Sequence, residues 1–269
     1  MRLSLHHLTV LDATPVELIE MAGALGVASV CLFTHVPEAA RGRFPMVAKA
    51  DVAAIRGRLG DAGVSVANLE VFPLDRSGLR ADLDDGLAVG AGLGATRATA
   101  HLHDVSSEQD AIDRFAAFAE QAARYGIIAG LEFNNFSAIR STAEAERVVR
   151  GAGAGSIVLD MLHAVRGGDT AKEIAHAADL IAYAQLCDGP ATMLSDARWH
   201  EAVGERLCPG DGEFPLVTLA GLLHDDTMFD VEVPQSAARK AGVPAFDRAR
   251  KAVETSRRLL AIMEQERAR

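Results

Sequence analysis

The chain has 269 residues, 49% of them hydrophobic and 24% charged, with a formal net charge of −10. Such a chain is too apolar to be disordered and long enough for one large or two smaller domains. Its acidic balance argues against a nucleic-acid partner, which ordinarily meets a basic surface.

Short apolar runs alternate with helical patterns from end to end. The first run, LSLHHLTV from Leu3, leads to Thr14 as an N-cap and Pro15 at the first helical position. ASVCLFTHV from Ala28 precedes a helical pattern over residues 48–63. There Val52, Ala53, Ile55 and Leu59 share a face, and Gly60 and Gly63 mark the end. VSVANLEVF from Val64 and TRATAHLHD from Thr96 come next. They are followed by a helix capped by Ser106 or Ser107, running through Tyr125 and stopping at Gly126. IAGLEFNNF from Ile128 leads to a helix that starts at Ser141 or Thr142 and ends in the glycines of residues 151–155. SIVLDMLHA from Ser156 precedes AKEIAHAAD, capped by Asp169 or Thr170. IAYAQLCDG from Ile181 is followed by LVTLAGLLHD, opened by Pro215. The eighth run, FDVEVP from Phe229, precedes a long amphipathic helix over about residues 245–269.

Eight strand–helix units with strands apolar on both faces predict a parallel sheet with helices outside. In a chain of this length the closest match is a single (β/α)8 TIM barrel over residues 1–269. An open doubly wound sheet is the alternative. It would place a glycine-rich phosphate loop after the first strand, where LTVLDATP has no glycine. The one long connection, residues 188–214 between the seventh and eighth strands, is of a length usually reserved for function. Three cysteines, Cys31, Cys187 and Cys208, make no disulfide framework and no C-x-x-C pair, which points to a reducing compartment. The amino terminus lacks a signal-peptide core and no stretch is long and apolar enough to span a bilayer. The expected location is cytoplasmic, without membrane contact.

Barrel active sites lie where strands end. The strand ends offer His6 and His7, His35, Glu70, His101 and His103, and Glu132 with Asn134 and Asn135. Then come Asp160 and His163, Gln185 and Asp188, and Glu232. Glu132, Asp160 and Glu232 stand out, because each is an acid inside a strongly apolar run. Three buried carboxylates in one barrel mouth repel one another unless paired or bound to a cation. His7, His35 and His103 are candidate pocket residues, with Phe33 and Phe72 as an apolar wall. Glu70 has no assigned role.

The set Glu132 in GLEFN, Asp160 and His163 in LDMLH, Gln185 in AQLCD, the PGDGE turn of residues 209–213 and Glu232 in VEVP resembles the xylose isomerase-like TIM-barrel superfamily. The resemblance covers essentially the whole chain and implies one divalent cation held by Glu132, Asp160, Gln185 and Glu232. Glutamine replaces the histidine that many epimerases of this group carry. A hard neutral oxygen favours Mn2+ or Mg2+, with Zn2+ or Co2+ as alternatives. By the same resemblance, Glu132, Glu232 and His163 are catalytic. Arg206, then Arg198, contacts substrate from the long loop, and Trp199 helps close it. The implied activity is isomerisation or epimerisation of a small sugar-like hydroxy-carbonyl compound through an enediolate. A metal-dependent dehydratase and a non-catalytic sugar-binding barrel are the alternatives. The expected partner is a small molecule, with a homo-oligomer contact on the C-terminal helix as an option. Endonuclease IV, also in the superfamily, is disfavoured by the net charge.

Overall fold

A computed structural model describes residues 2–74, 81–193 and 198–269. Its strands are β1 (Arg2–His6), β2 (Ser29–Phe33), β3 (Ser65–Glu70), β4 (Phe72–Pro73), β5 (Arg97–His101), β6 (Ile128–Glu132), β7 (Ser156–Asp160), β8 (Ile181–Leu186) and β9 (Met228–Val231). Among the described residues these strands pair only in parallel, and β9 pairs with both β8 and β1. β3 pairs with β2, whereas its continuation β4 pairs with β5. The third strand position is therefore split in two, and eight positions form a nearly closed ring, the expected TIM barrel.

The helices are α1 (Pro15–Ala24), α2 (Val52–Ala62), α3 (Ala81–Leu93), α4 (Glu108–Ala123), α5 (Thr142–Ala152), α6 (Met161–Gly167), α7 (Ala171–His176), α8 (Arg198–Gly204), α9 (Leu216–Gly221), α10 (Ser236–Lys240) and α11 (Ala245–Arg267). Their starts follow the caps read from sequence. Thr14 and Glu17 form a reciprocal capping box ahead of Pro15. Ser107, Ser141 and Thr170 accept the N3 amide of α4, α5 and α7. Gly63 closes α2 in the left-handed conformation, while Gly60 lies inside the helix. Helices α3, α6, α8 and α10 were not anticipated. The run SIVLDMLHA divides at Asp160, whose carboxylate caps α6 by accepting the Leu162 amide at 2.7 Å. His163 thus sits on a helix, not on a strand.

The main core fills the space around the barrel and includes Ile19, Phe115, Phe118, Val253 and Leu260. A second cluster, Ala67, Val158, Tyr183 and Met228, joins β3, β7, β8 and β9. Strands that do not neighbour each other in the ring meet this way only across the barrel interior.

The long connection after β8 is tied down by two side chains. Asp188 Oδ1 accepts the amides of Gly189 at 2.8 Å and Phe214 at 3.0 Å, and Oδ2 those of Gly210 at 2.9 Å and Gly212 at 3.1 Å. A Cβ on Gly212 would lie 2.4 Å from that carboxylate, which explains the glycine. Asp188 is therefore the clasp of the PGDG turn. Arg166 reaches over from α6 to pair with Glu201 of α8 and with the Pro190 carbonyl.

The C-terminal helix is anchored by Arg248. Its guanidinium is buried, and Nη2 donates to both carboxylate oxygens of Asp12, at 2.6 and 2.7 Å. Removing the acid leaves a buried charge unpaired. Asp12→Ala is expected to lower the unfolding free energy by about 2 kcal/mol, read as a lower urea midpoint with an unchanged slope.

Candidate functional site

The carboxyl ends of the strands surround a cavity of about 320 Å³. Side chains two apart along a strand share a face, so the inward face of each strand carries pairs: Ser4 and His6, Asn68 and Glu70, Thr99 and His101, Asp230 and Glu232. Asn68 Nδ2 donates to Thr99 Oγ1 at 2.8 Å and to Glu70 Oε1 at 3.4 Å. Gln185 Nε2 donates to the same Glu70 oxygen at 2.9 Å, across the barrel. His6 Nε2 lies 2.8 Å from Glu70 Oε2 and 3.8 Å from Glu232 Oε1, while its Nδ1 accepts the Leu8 amide. His101 Nε2 stands 3.0 Å from Glu132 Oε2.

At the centre lies Arg206. Its Nη1 donates to Asp160 Oδ2 at 2.8 Å and to Glu232 Oε2 at 3.0 Å, and its Nε to the Ala202 carbonyl at 2.8 Å. Arg206, Asp160 and Glu232 are all buried. His163 Nε2 is 3.7 Å from Asp160 Oδ2 and 3.9 Å from Glu132 Oε1. One ligand atom each from Glu132, Asp160 and His163 can be chosen so that all lie within 4.8 Å of one another; the same holds for His6, Cys31 and Glu70.

Burial and charge divide the titrating groups. Burial alone favours a neutral Glu132, but His101 and His163 overcome it and hold the carboxyl below its usual range. Burial likewise opposes ionisation of Asp160, and Arg206 and His163 reverse it. Glu232 goes the other way: burial raises its pKa well above the ordinary value despite Arg206 and His6. One guanidinium does not ionise two buried acids equally. Burial pushes the His163 pKa below its ordinary value, against the pull of Asp160 and Glu132.

Of the residues read from sequence, Glu132, His163, Arg206 and Glu232 line the cavity at its floor, Asp160 lies behind them on Arg206, and Gln185 is buried against Glu70. His103 and Trp199 stand in the wall above that floor. Others do not line the cavity. His7 is buried below it, its Nε2 3.0 Å from the Ala13 carbonyl and its ring stacked on Phe33. His35 bonds Val71 O at 2.8 Å and Asp82 at 3.1 Å, so it braces the split third strand. Phe72 packs on Phe118 in the core, and Arg198 is exposed on the first turn of α8. The sequence reading gave no role to His6, Glu70 or His101. The polar residue two places before each of them was the available signal.

The chemistry of the donor set suits a hard divalent cation. Glu132 and Asp160 supply carboxylate oxygens that already lie together with a His163 nitrogen, whereas Glu232 stands outside that cluster, on Arg206. Gln185 Oε1 is buried without a hydrogen-bond partner, its amide fixed by the bond from Nε2 to Glu70. Arg206 holds one oxygen of each of Asp160 and Glu232, so it competes with such an ion for them.

The pattern that defines the xylose isomerase-like TIM barrel family matches residues 19–260. The chain belongs to that family. No curated protein matches its sequence significantly. Among solved structures, a xylose isomerase-like TIM barrel/4-hydroxyphenylpyruvate dioxygenase fusion protein superposes with a TM-score of 0.80 at 18% identity. That match covers 99% of this chain but 43% of the fusion protein. An IolI protein with a bound zinc atom gives 0.79 at 16% identity, covering 98% and 99%. A D-psicose 3-epimerase crystallised in the presence of D-fructose gives 0.68 at 19% identity, covering 97% and 99%. These likenesses establish the xylose isomerase-like fold over nearly the full chain. Among the described residues no helix is long and apolar enough to cross a membrane.

The displaced His7 carries a pH prediction. Burial lowers its pKa from 6.5 to about 4. The folded ring stays neutral where the unfolded one takes a proton, so stability falls as pH drops from 6.5 towards 4. At pH 4.5 the loss from this group is about 2 kcal/mol. His7→Gln keeps a donor for the Ala13 carbonyl and does not titrate. Urea unfolding at pH 7 and 4.5 should show a smaller acid loss in the variant than in the parent, by about that amount.

Proposed function

We propose that the protein is a divalent-metal-dependent isomerase or epimerase of a small hydroxy-carbonyl compound. The observation that carries this reading is the floor itself. Glu132 and Glu232 belong to different strands and share one site with Asp160, the unpartnered oxygen of Gln185 and the Arg206 guanidinium. Two separately held carboxyl groups are what proton removal at one place and return at another requires. The fold relatives include an epimerase and a zinc-bound protein, which agrees with this chemistry.

Glu132, Asp160, Gln185 and Glu232 would hold the cation. When bound, it supplies Lewis-acid stabilisation of the negative charge that develops on the substrate oxygens. Glu132, oriented by His101, is positioned to take the proton from the carbon beside the carbonyl. Glu232 is positioned to return a proton at the neighbouring carbon of the enediolate. Arg206, once off its two carboxylates, presents its guanidinium to the substrate oxygens. His163, whose Nδ1 is buried without a partner, would offer one further hydrogen bond to the substrate.

The direct test is solvent deuterium exchange. With Mn2+ present, the protein should wash deuterium into the carbon-bound α-position of a hydroxy-ketone. Glu132→Gln should slow this by about 10²-fold or more. Absence of exchange across ketoses, hydroxypyruvate and inososes would refute the isomerase reading. A new ultraviolet absorbance from a conjugated product would instead identify the dehydratase.

Arg206 supplies a test that does not depend on turnover. Arg206→Ala frees two buried carboxylates for the cation, so Mn2+ should bind about tenfold more tightly. Mn2+ should also raise the melting temperature of the variant more than that of the parent. Calorimetric titration and thermal unfolding measure both.

A further inference from the structure

The wall of the cavity differs in character from its floor. Two aromatic pairs face the opening. On one side Phe33 and Phe44 have ring centroids 5.0 Å apart. On the other Phe136 meets Trp199 edge to face at 5.3 Å, and its ring also meets His163 at 5.7 Å. Leu8, Leu11 and Val36 continue the apolar surface between these pairs. Trp199 keeps 59% of its surface exposed, an unusual state for the largest apolar side chain in the protein.

Polar groups on this wall are few. Asn134 already accepts the Phe136 amide on Oδ1 at 3.1 Å. His103 stands edge to face against His101. Arg43 is exposed at the rim. An open-chain sugar seated with its carbonyl end on the floor would bring its distal hydroxyls against Phe44, Phe136 and Trp199. Each hydroxyl that loses water without gaining a partner costs about 1–3 kcal/mol. An apolar body in the same place removes the aromatic faces from water instead.

We infer that the substrate of this site is an α-hydroxy-carbonyl compound carrying an aryl or cycloaliphatic body, not an open-chain polyol. This rests on the isomerase reading only for the head group; the body is assigned by the two aromatic pairs. The head meets Arg206 and the carboxylates, and the body lies between Phe33–Phe44 and Phe136–Trp199. Size agrees, since about 320 Å³ admits a six-membered ring with a two-carbon head.

Trp199 is the single tryptophan of the chain and stands in the wall, so its emission reports occupancy directly. The probe is cyclohexyl hydroxymethyl ketone, which does not absorb with tryptophan, titrated against the Mn2+-loaded protein beside D-fructose. The cyclohexyl ketone should bind at least about tenfold more tightly than D-fructose and shift Trp199 emission to the blue. Phe136→Ala and, on the opposite wall, Phe44→Ala should each bring the ratio to about threefold or less. Equal or tighter binding of D-fructose would overturn the inference. So would a blue shift that grows with protein concentration alone, because a second copy would then be the cover of this wall. Deuterium exchange separates the two readings. Exchange into D-fructose but not into the cyclohexyl ketone sinks the substrate class and leaves the isomerase standing. Tight binding of the cyclohexyl ketone without exchange sinks the isomerase and leaves the binding preference.

Discussion

The site is organised by one guanidinium shared between two buried acids. Arg206 Nη1 sits 2.8 Å from Asp160 and 3.0 Å from Glu232, and all three are buried. Without a cation there, carboxylates from β7 and the end of β9 would face each other in a poorly solvated barrel mouth, beside Glu132 and Glu70. Charges of one sign in such a setting cost several kcal/mol each. The arginine offsets that cost and also fixes geometry. Its Nε donates to Ala202 of α8, so the loop that carries Trp199 is joined to the floor through the same side chain. Under the proposal, a cation that took over the two carboxylates would release Arg206 and loosen this joint. On the proposed reading, metal loading, the availability of a guanidinium for substrate and the position of α8 would be one linked equilibrium.

Much of the fold was legible because its signals are local. Capping residues, left-handed glycines and eight apolar runs act over a few residues, and each of the eight runs contains or adjoins a strand. The misses have physical causes too. LDMLHA reads as a continuation of the strand because Met161, Leu162 and Ala164 are as apolar as a buried strand. The deciding feature is the Asp160 carboxylate, which caps a helix as readily as it ends a strand. The split of the third strand is tertiary, since β3 answers to β2 and β4 to β5. Helices α8 and α10 are too short to show a period.

The candidate site was legible wherever an ionisable residue stood alone in an apolar run, as with Glu132, Asp160 and Glu232. It was less so where inward-facing polar residues alternate through the barrel. Asn68 with Glu70 and Thr99 with His101 are polar at both inner positions, and that period of two marks the interior. His7 and His35 misled because they adjoin strand ends but point elsewhere, His7 towards the Ala13 carbonyl and His35 towards Val71. Arg206 was expected over the substrate; in the structure it lies between two carboxylates. No sequence pattern reveals the carboxylate contacts, because the partners come from the ends of β7 and β9 and the contact is tertiary.

The central claim is that Arg206 and a divalent cation are alternative occupants of one carboxylate set. Anomalous diffraction from crystals soaked in Mn2+ tests it most directly. The account predicts one peak about 2.1 Å from oxygens of Glu132, Asp160, Gln185 and Glu232, with Arg206 withdrawn from Asp160. A peak beside His6, Cys31 and Glu70 instead, or Arg206 still bridging Asp160 and Glu232 with no peak among them, would contradict it.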